Sequence, residues 1–421
     1  MDMNRRLMGN IERMPLVVKQ GMGATITQAA GEPLLDFWGD EGVCSMGMNT
    51  PEFLQAIHSF LATGNPHRLP DVYPHQTRWD AAEIICDRTG MDRVFFANSG
   101  TEANEAAIKI ARKFWWDKER GYTRNLNVPF DMIAPRRHVI LTINGNFHGR
   151  TGFAMAASDP RVSPYHRHGF GPIPKGFGVL DDKTFWQVVT DGVEHEGKEP
   201  EWDAVAAIIL APVLGNNLVK TYPAEFWEHL DSIRSKNGVL LIYDDVQAGN
   251  GRAGHFASWQ GCGVKPDIMT LSKGIAMGLP MSCMLARDEI ARAFTPGVHF
   301  NTFGGTLLCC HLAIKLYQWL DANIHLVRNK GEFIRQTWSS MPWIKEFDGA
   351  GLLNAFTPDY EAGGYDGFQF ITEGRNHGLS LVTHRQFGPI RFTPPLNVSH
   401  SDIQMALWAL DETHKALKEA R

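Results

Sequence analysis

Two apolar runs in the second half of the chain each end at a side chain that can do chemistry. Residues 239–243 precede Asp244, and residues 267–272 precede Lys273. In open α/β sheets, ligands bind beyond the carboxyl ends of the strands, so both side chains are expected to face one crevice. A lysine there can hold an aldehyde as a Schiff base, and a carboxylate can keep a pyridine nitrogen protonated. The pair therefore favours a pyridoxal phosphate site.

Neither residue is specific by itself. Most of the 41 Lys and Arg residues are expected to be solvated surface charges. An Asp-Asp pair after a strand, such as Asp244 and Asp245, is usually only a turn. The interpretation therefore depends on further parts of a cofactor site elsewhere in the chain.

A candidate phosphate site follows the apolar segment 93–97. Asn98, Ser99, Gly100 and Thr101 lead into a run whose apolar positions recur at helical spacing. Free N–H groups and the positive end of the helix dipole then lie beside two hydroxyls, which favours an anion. The glutamates of the first helical turn must face away if phosphate binds here. The alternative is an ordinary helix cap that binds nothing.

A fourth segment, residues 144–151, follows the short apolar run 138–143. Phe147 lies among glycines, where its ring can lie flat on a planar cofactor, and His148 is expected to adjoin that cofactor. The alternative is a glycine-rich turn with a partly buried phenylalanine.

Taken in order, five segments give the chain a family resemblance. They are NSGTEANEA at residues 98–106, FHGRT at 147–151, DDVQAG at 244–249 with Gly251 and Arg252, PDI at 266–268 with Ser272 and Lys273, and TFGG at 302–305. This set resembles the class III aminotransferases, which are fold type I pyridoxal phosphate enzymes. The family includes the ornithine, acetylornithine, 4-aminobutyrate and diaminobutyrate aminotransferases. The similarity runs from about Pro15 to the C-terminus, so it covers nearly the whole chain.

The resemblance implies a role for each matching residue around pyridoxal phosphate. Lys273 and Asp244 are the implied catalytic residues, one bound to the aldehyde and one paired with the pyridine nitrogen. The implied cofactor contacts are Gln247 at the ring hydroxyl, Phe147 and Val246 on the two ring faces, His148 beside the ring, Ser99, Gly100 and Thr101 at the phosphate, and Thr302 reaching the phosphate of a neighbouring subunit. A homodimer with active sites at the subunit interface follows from the last contact.

Substrate contacts are implied by fewer residues. Arg391 matches the arginine that grips an α-carboxylate in ornithine-type relatives, and a guanidinium suits that task because it can donate two parallel hydrogen bonds. Phe37 and Trp38 are further candidates for the pocket wall, although aromatic residues near a strand end are more often core. The expected reaction is ping-pong transfer of an amino group, with the terminal amine of an ω-amino acid or diamine as donor and a 2-oxo acid as acceptor.

Three positions depart from the family pattern. Many relatives have Glu-Pro-hydrophobic-Gln-Gly-Glu where this chain runs from Ala211 to Asn216. In ornithine-type relatives the second of those glutamates pairs with the arginine matched by Arg391 and releases it for the second half-reaction, so Asn216 puts that gate in doubt. Ala211 replaces a carboxylate that normally lies close to the cofactor. Asp245 stands where glutamate is commoner, which resembles the diaminobutyrate aminotransferases.

The implied fold class is α/β, with a large domain whose mostly parallel central sheet is flanked by helices, and a small α+β domain. The expected divisions are an N-terminal segment over residues 1–50, the large domain over 51–315, and the small domain over 316–421. The N-terminal segment is expected to pack with the small domain. Local patterns predict helices and long loops inside this frame. Helices are predicted over residues 51–64, 75–89, past Thr306 and over 401–417, and long loops over 121–137 and 162–182.

Other functions remain open at this point. A decarboxylase, racemase or aminomutase can use the same cofactor site, and a protein that binds the cofactor without turnover is a further alternative. Residues 249–254 also satisfy the G-x-G-x-x-G pattern of dinucleotide sites, but residues 255–265 show no sustained helical period, so the required context is missing.

Composition indicates an ordinary globular enzyme of 421 residues with a net charge of −5. That charge gives no reason to expect nucleic acid or membrane as a partner, and no apolar run approaches a membrane span. The six cysteines show no C-x-x-C spacing and are expected to be reduced thiols in the cytoplasm. The histidines form no H-E-x-x-H cluster, so no metal is expected.

Overall fold

The computed structural model describes Met14 and residues 16–120, 135–162, 164–215 and 218–420. Within these ranges the strands are β1 (Val18–Met22), β2 (Thr25–Gln28), β3 (Leu34–Asp36), β4 (Arg93–Ala97), β5 (Val139–Ile143), β6 (Phe177–Leu180), β7 (Gln187–Thr190), β8 (Val193–Lys198), β9 (Val205–Leu210), β10 (Val213–Leu214), β11 (Lys220–Thr221), β12 (Leu240–Asp244), β13 (Ile268–Leu271), β14 (Ser282–Ala286), β15 (Ile344–Ala350), β16 (Leu353–Pro358), β17 (Leu379–Ser380) and β18 (Ile390–Phe392).

The helices are distributed along the chain between groups of these strands. In the same described ranges they are α1 (Gly39–Gly42), α2 (Pro51–Ala62), α3 (Gln76–Thr89), α4 (Gly100–Arg120), α5 (Gly152–Ala157), α6 (Ala224–Asn237), α7 (Trp259–Cys262), α8 (Asp288–Ala291), α9 (Leu307–Ser339), α10 (Tyr360–Gly363), α11 (Gly367–Asn376) and α12 (His400–Glu419). The predicted helices are therefore confirmed as α2, α3, α9 and α12, and the helix after the candidate phosphate site is α4.

The central sheet has nine strands in the described part of the chain, in the order β4-β14-β13-β12-β9-β5-β6-β7-β8. Strands β13, β12, β9, β5 and β6 run parallel, whereas β14 is antiparallel to both β13 and β4. The expected α/β fold class, with a mostly parallel sheet flanked by helices, is confirmed.

Alternate residues of β12 face two separate apolar layers. Leu241 and Tyr243 belong to a buried cluster that includes Phe226 of α6. Leu240 and Ile242 belong to a second cluster on the opposite face, built largely on α4. Each large side chain buried in this way contributes roughly 1.5–3 kcal/mol. The sheet is thus covered by a packed apolar layer on each face, which holds the residues at its strand ends in place.

The described residues also form three smaller sheets, of which the smallest is the pair β10-β11 and the two larger have four and three strands. The N-terminal strands form the sheet β1-β2-β3-β17, in which β17 from the C-terminal region pairs in parallel with β3. The second sheet is β15-β16-β18. The expected boundary at residue 315 falls inside the continuous helix α9, and the division into domains stays a prediction.

One predicted loop is partly wrong. The end of the segment 162–182 forms β6, which pairs with β5 in the central sheet. Its four residues, Phe-Gly-Val-Leu, are too few to show a period, and their buried position follows from pairing with a distant strand. The other predicted loop, residues 121–137, lies largely outside the described residues.

Candidate active site

A cavity of about 1120 Å³ opens at the carboxyl ends of β12 and β13, beside the start of α4. Its wall includes most of the residues predicted for the cofactor, together with the predicted substrate contact Arg391. Those that line it are Ser99, Gly100, Thr101, Phe147, His148, Asp244, Val246, Gln247, Lys273 and Arg391. Segments that are far apart in the chain thus meet at the edge of the sheet where ligands are expected.

Lys273 follows β13 and begins a short 3₁₀ turn, Lys273–Ala276, with a left-handed backbone (φ 45°). About a quarter of its side chain is exposed (26%). Burial lowers the pKa of Lys273 to about 8; Glu41 opposes this shift and Arg391 adds to it. With such a pKa about one lysine in ten is neutral at pH 7, far more than for an exposed lysine, and the neutral amine is the nucleophile.

Asp244 is fixed by donors on two sides. Its Oδ2 accepts a hydrogen bond from Asn104 Nδ2 at 2.8 Å and lies 2.7 Å from His148 Nδ1. Asn104 in turn accepts from Thr270 Oγ1 at 2.8 Å, and His148 Nε2 lies 2.9 Å from Thr142 Oγ1. Because all of these side chains are buried, the carboxylate has little freedom to reorient.

The start of α4 forms the opposite end of the cavity. Gly100 is the first residue of this 21-residue helix, so its unpaired N–H groups and positive dipole end lie at the cavity wall. Glu102 Oε2 accepts from Asn98 N at 2.8 Å, and Glu105 Oε1 accepts from Ala154 N at 3.0 Å. Both acidic side chains are thus engaged outside the cavity wall, which leaves the anion site free of like charge.

Phe147 and Val246 both line the space between these two ends. Val246 lies directly against α4, since a Cβ placed on Gly100 would come within 2.7 Å of Val246 Cγ1. Any larger residue at Gly100 would push this wall into the cavity. Gln247 also lines the cavity, and its Nε2 donates to Glu41 Oε2 at 3.1 Å.

The residues present fit pyridoxal phosphate. The cavity combines an amine of lowered pKa, a buried carboxylate oriented by Asn104 and His148, an anion site at a helix start and apolar walls between them. These groups match the aldehyde, the pyridine nitrogen, the phosphate and the ring faces of that cofactor.

Arg391, on β18, is 5% exposed, and its Nη1 donates to Oε2 of Glu41. Three further groups surround the same carboxylate. Lys273 Nζ lies 3.9 Å from Oε2, His384 Nε2 lies 3.0 Å from Oε1, and the Gln247 amide donates to Oε2. Burial acts to raise the pKa of the Glu41 carboxyl, but His384, Arg391 and Lys273 hold it well below its usual range. Glu41 is therefore ionised at any physiological pH.

Glu41 projects from a backbone turn of unusual conformation. All four residues of Gly39–Gly42 have positive φ, at 57°, 50°, 59° and 83°. Non-glycine residues in this region cost roughly 1–2 kcal/mol each. Asp36 Oδ1 accepts from the N–H of Gly39 at 3.1 Å, and a Cβ on Gly39 would lie 2.7 Å from the carbonyl oxygen of Thr393. The turn is thus imposed by its surroundings, as strained turns at functional sites commonly are.

Three predicted residues are not brought to this cavity. Phe37 is fully buried and packs on Phe392 with ring centroids 4.6 Å apart, so the predicted substrate contact is corrected: its ring belongs to the core. Trp38 does not line the cavity either, and its indole Nε1 lies 3.5 Å from Glu41 Oε1. Thr302 is exposed outside the cavity, and its proposed contact with a second subunit stays a prediction.

Sequence reasoning missed Glu41, His384 and Asn104. Asn104 lies within the NSGTEANEA segment, and its position one helical turn after Gly100 was a usable signal. Glu41 has no such signal, because nothing local distinguishes it from neighbouring acidic residues. Ala211 lines the cavity as expected, whereas Asn216 lies outside the described residues.

The described residues form neither a metal site nor a membrane-spanning helix. Among the described residues, no cluster of three or more His, Cys, Asp or Glu side chains could hold a metal ion. None of the described helices is both long and apolar enough to cross a membrane. Gly251 and Gly254 pack on α9, where an added Cβ would clash with Leu320 and Arg328 respectively, and the segment 249–254 does not open a helix. The dinucleotide interpretation therefore finds no support.

Comparison with known proteins gives a consistent result. The family model described as aminotransferase class-III matches residues 8–414. The acetylornithine aminotransferase of Nostoc sp. is 31% identical over 417 residues, covering 96% of this chain and 91% of the relative. That of Caldanaerobacter subterraneus is also 31% identical, over 415 residues and 96% of both chains.

Solved structures agree in fold. The ornithine aminotransferase of Toxoplasma gondii superposes with a TM-score of 0.83 at 24% identity, covering 99% of this chain and 94% of the other. An (S)-enantioselective omega-transaminase from Thermomicrobium roseum superposes with a TM-score of 0.79 at 25% identity, covering 96% and 93%.

Proposed function

Since the chain belongs to the class III aminotransferases, we propose that its cavity transfers the terminal amine of an ornithine-type donor to a 2-oxo acid, with Lys273 and Asp244 as the catalytic residues. The chain is a pyridoxal phosphate-dependent aminotransferase, as its family membership shows. What we propose beyond this are the roles of the individual site residues, the identity of the amino donor and assembly as a homodimer.

The observation that carries the proposal is the meeting of Lys273 and Asp244 in one cavity. Asp244 ends β12 and Lys273 follows the adjacent parallel strand β13, and the register of the two strands pairs Asp244 with Thr270. Both side chains are therefore positioned by the same rigid part of the sheet, and the anion site at Gly100 faces the same space.

Bound pyridoxal phosphate supplies an aldehyde for the donor amine and a ring that accepts electrons from the donor carbon. Lys273 Nζ, with a pKa of about 8, is suited to hold the aldehyde and then to accept and return a proton at the donor carbon. Asp244, held by Asn104 and His148, keeps positive charge on the ring nitrogen. Ser99, Gly100 and Thr101 would bind the phosphate, and Phe147 and Val246 would hold the ring faces.

Arg391 is the proposed anchor for substrate carboxylates. It lies in the same cavity as Lys273, and its fork of donors suits a carboxylate. The donors we propose are ornithine, acetylornithine, diaminobutyrate or 4-aminobutyrate, and the printed names of the relatives favour the first two.

The same proposal includes a homodimer in the cytoplasm. Large apolar side chains remain exposed near Thr302, among them Phe300 at 63% and Phe303 at 61%, which supports burial against a second copy. The six cysteines are unpaired, as expected in a reducing compartment.

Replacing Lys273 by Ala tests the assignment directly. The variant should lose both the visible absorbance of the lysine-bound cofactor and transamination, because no other amine is offered by the cavity wall described here. Lys265→Ala is the matched control, since Lys265 lies over the ring of Trp259 outside the cavity. A Lys273→Ala protein that kept the absorbance and full turnover would refute the role.

Incubation with a donor alone identifies the reaction. Transamination leaves the aminated cofactor in one-to-one amount with enzyme, whereas a decarboxylase or racemase regenerates the original absorbance. A screen of the four donors, with identification of the oxo product by mass spectrometry, then identifies the substrate.

A further inference from the structure

We propose that Glu41 is a resident carboxylate of the substrate site: it occupies Arg391 until a substrate carboxylate displaces it, and so selects between two kinds of amino donor. The inference rests on the proposed function and deepens it. The two donor classes are amines whose reacting end carries a carboxylate, and amines whose reacting end carries none.

Glu41 and a substrate carboxylate compete for the guanidinium of Arg391. Glu41 Oε2 accepts from Arg391 Nη1, and both side chains line the cavity that contains Lys273. A substrate carboxylate that approaches Arg391 meets a negative charge already in place. Two carboxylates on one buried guanidinium repel each other, so the incoming group binds only as Glu41 leaves.

Two other groups can hold the Glu41 carboxylate when it leaves Arg391. His384 Nε2 lies 3.0 Å from its Oε1 and is 57% exposed on its side chain, so it stands at the solvent side of the pair. The Gln247 amide also donates to the carboxylate, at 3.1 Å. Glu41 can therefore leave Arg391 without becoming an unpaired buried charge, which would be costly.

The backbone conformation at Glu41 directs its side chain toward Arg391. It lies in the left-handed turn Gly39–Gly42, in which Asp40 and Glu41 both have positive φ. The neighbouring structure imposes this turn, and its effect is to direct the Glu41 side chain into the cavity across from β18. Backbone strain of this kind is commonly retained at functional sites, and here the strained turn makes the contact between Glu41 and Arg391 possible.

With Glu41 in place, its negative charge balances the positive charge of Arg391 beside Lys273. A donor whose reacting amine is at the end of a chain presents no carboxylate there, and it can bind with Glu41 undisturbed. An α-amino acid, or the α-carboxylate of the 2-oxo acceptor, requires Glu41 to be displaced. One site can then serve both half-reactions, and removal of the Glu41 charge should favour donors that carry a carboxylate at the reacting end over donors that carry none there.

A purely structural role for Glu41 makes a different prediction. If the carboxylate only ties its turn to β18, its loss should lower thermal stability and weaken both half-reactions alike. The two roles separate when the half-reactions are measured one at a time and when carboxylate binding is measured without chemistry.

The test compares Glu41→Gln and Glu41→Asp with Asp40→Asn in the holoenzyme. Valerate, which has a carboxylate and no amine, is titrated calorimetrically, and L-glutamate and N-acetylornithine are mixed separately with the enzyme to time each half-reaction. Glu41→Gln should bind valerate about tenfold more tightly, the effect of freeing one charge-assisted hydrogen bond on Arg391. The ratio of the L-glutamate rate to the N-acetylornithine rate should rise by about the same factor.

The other two variants complete the test. Glu41→Asp keeps the charge on a shorter side chain, so it should bind valerate with intermediate affinity, and it provides the measurement if Glu41→Gln does not fold. Asp40→Asn removes the neighbouring charge on a residue type that tolerates positive φ, and should change the rate ratio by less than about twofold.

Unchanged valerate binding in both Glu41 variants, in a protein that still transaminates, would overturn this inference alone. Equal loss of both half-reactions with lower thermal stability would do so too. A wild-type protein that reacts with neither donor would instead overturn the proposed function, and the inference with it.

Discussion

The two ends of the cavity are built differently. At the cofactor end, Asp244 is buried and held by Asn104 and His148, which are themselves bonded to strand residues of the central sheet. At the substrate end, Glu41 and Arg391 join a strained turn to the separate strand β18. A group that must keep one orientation through every turnover is held by side chains that are themselves hydrogen-bonded to the central sheet. Arg391, which we propose binds the carboxylates of two substrates, is instead paired with Glu41, a charge that a substrate carboxylate can displace.

The largest effect should follow from removing charge at the cofactor end. Asp244→Asn keeps the shape of the side chain and the neighbours that orient it, but it cannot keep a pyridine nitrogen protonated. We expect kcat to fall about 10²–10³-fold, as for loss of a preorganised charge in a closed site. Single-turnover kinetics with one donor measures this without the second half-reaction.

Asp245→Asn is the control, because the adjacent carboxyl follows the same strand but does not line the cavity. Its oxygens bond to the backbone N–H and the hydroxyl of Ser258, and burial raises the pKa of Asp245 to about 6. This variant should cost about 1–3 kcal/mol of unfolding free energy and leave the rate of chemistry nearly unchanged. Equal rate losses in the two variants would contradict a special role for Asp244.

The difference between the two ends also explains what sequence could predict. Lys273, Asp244 and Gly100 each follow an apolar run, so local pattern and strand-end geometry were enough to place them in one crevice. The pairing of Glu41 with Arg391 joins residues far apart in sequence, from elements whose relative position depends on the whole fold. No local period or cap marks it. The prediction for Phe37 was wrong for the opposite reason, since an aromatic residue near a strand end has the same local sequence pattern whether it lines a pocket or fills the core.

A smaller effect, confined to one substrate, should follow at the other end. Arg391→Ala should raise the KM for the 2-oxo acid about 10–100-fold, the effect of losing charge-assisted hydrogen bonds to a carboxylate. Retention of cofactor should change much less, because Arg391 lies on β18 and not on the central sheet. Steady-state kinetics and the cofactor absorbance measure the two quantities on one sample.

Arg385→Ala is the comparison for that variant. Arg385 also lines the cavity, but its side chain is exposed and donates to the carbonyl oxygen of Val162 at 3.3 Å. Its loss should change the KM only slightly, since exposed charges are screened by solvent. If Arg391→Ala disturbed cofactor retention as much as the KM, the proposed division between the two ends would be wrong.

The smallest effect is electrostatic and should appear at Lys273, where the two ends meet. Only the neutral amine attacks the cofactor aldehyde, and the pKa of Lys273 is lowered to about 8, chiefly by burial. The rate of cofactor attachment to the cofactor-free protein should therefore rise with pH below about pH 8 and level off above it.

The charges of the substrate end should move that midpoint in opposite directions. Glu41 raises the pKa of Lys273 and Arg391 lowers it, so Glu41→Gln should shift the midpoint to lower pH and Arg391→Ala to higher pH. Stopped-flow absorbance across pH gives the midpoint, and binding of pyridoxine phosphate, which has no aldehyde, corrects for ionisation of the phosphate. Shifts of the same sign in both variants would mean that local unfolding, and not charge, sets the reactivity of Lys273. Opposite shifts would show that the exchangeable pair also tunes the amine beside it, so that displacement of Glu41 by a substrate carboxylate reaches the lysine as well.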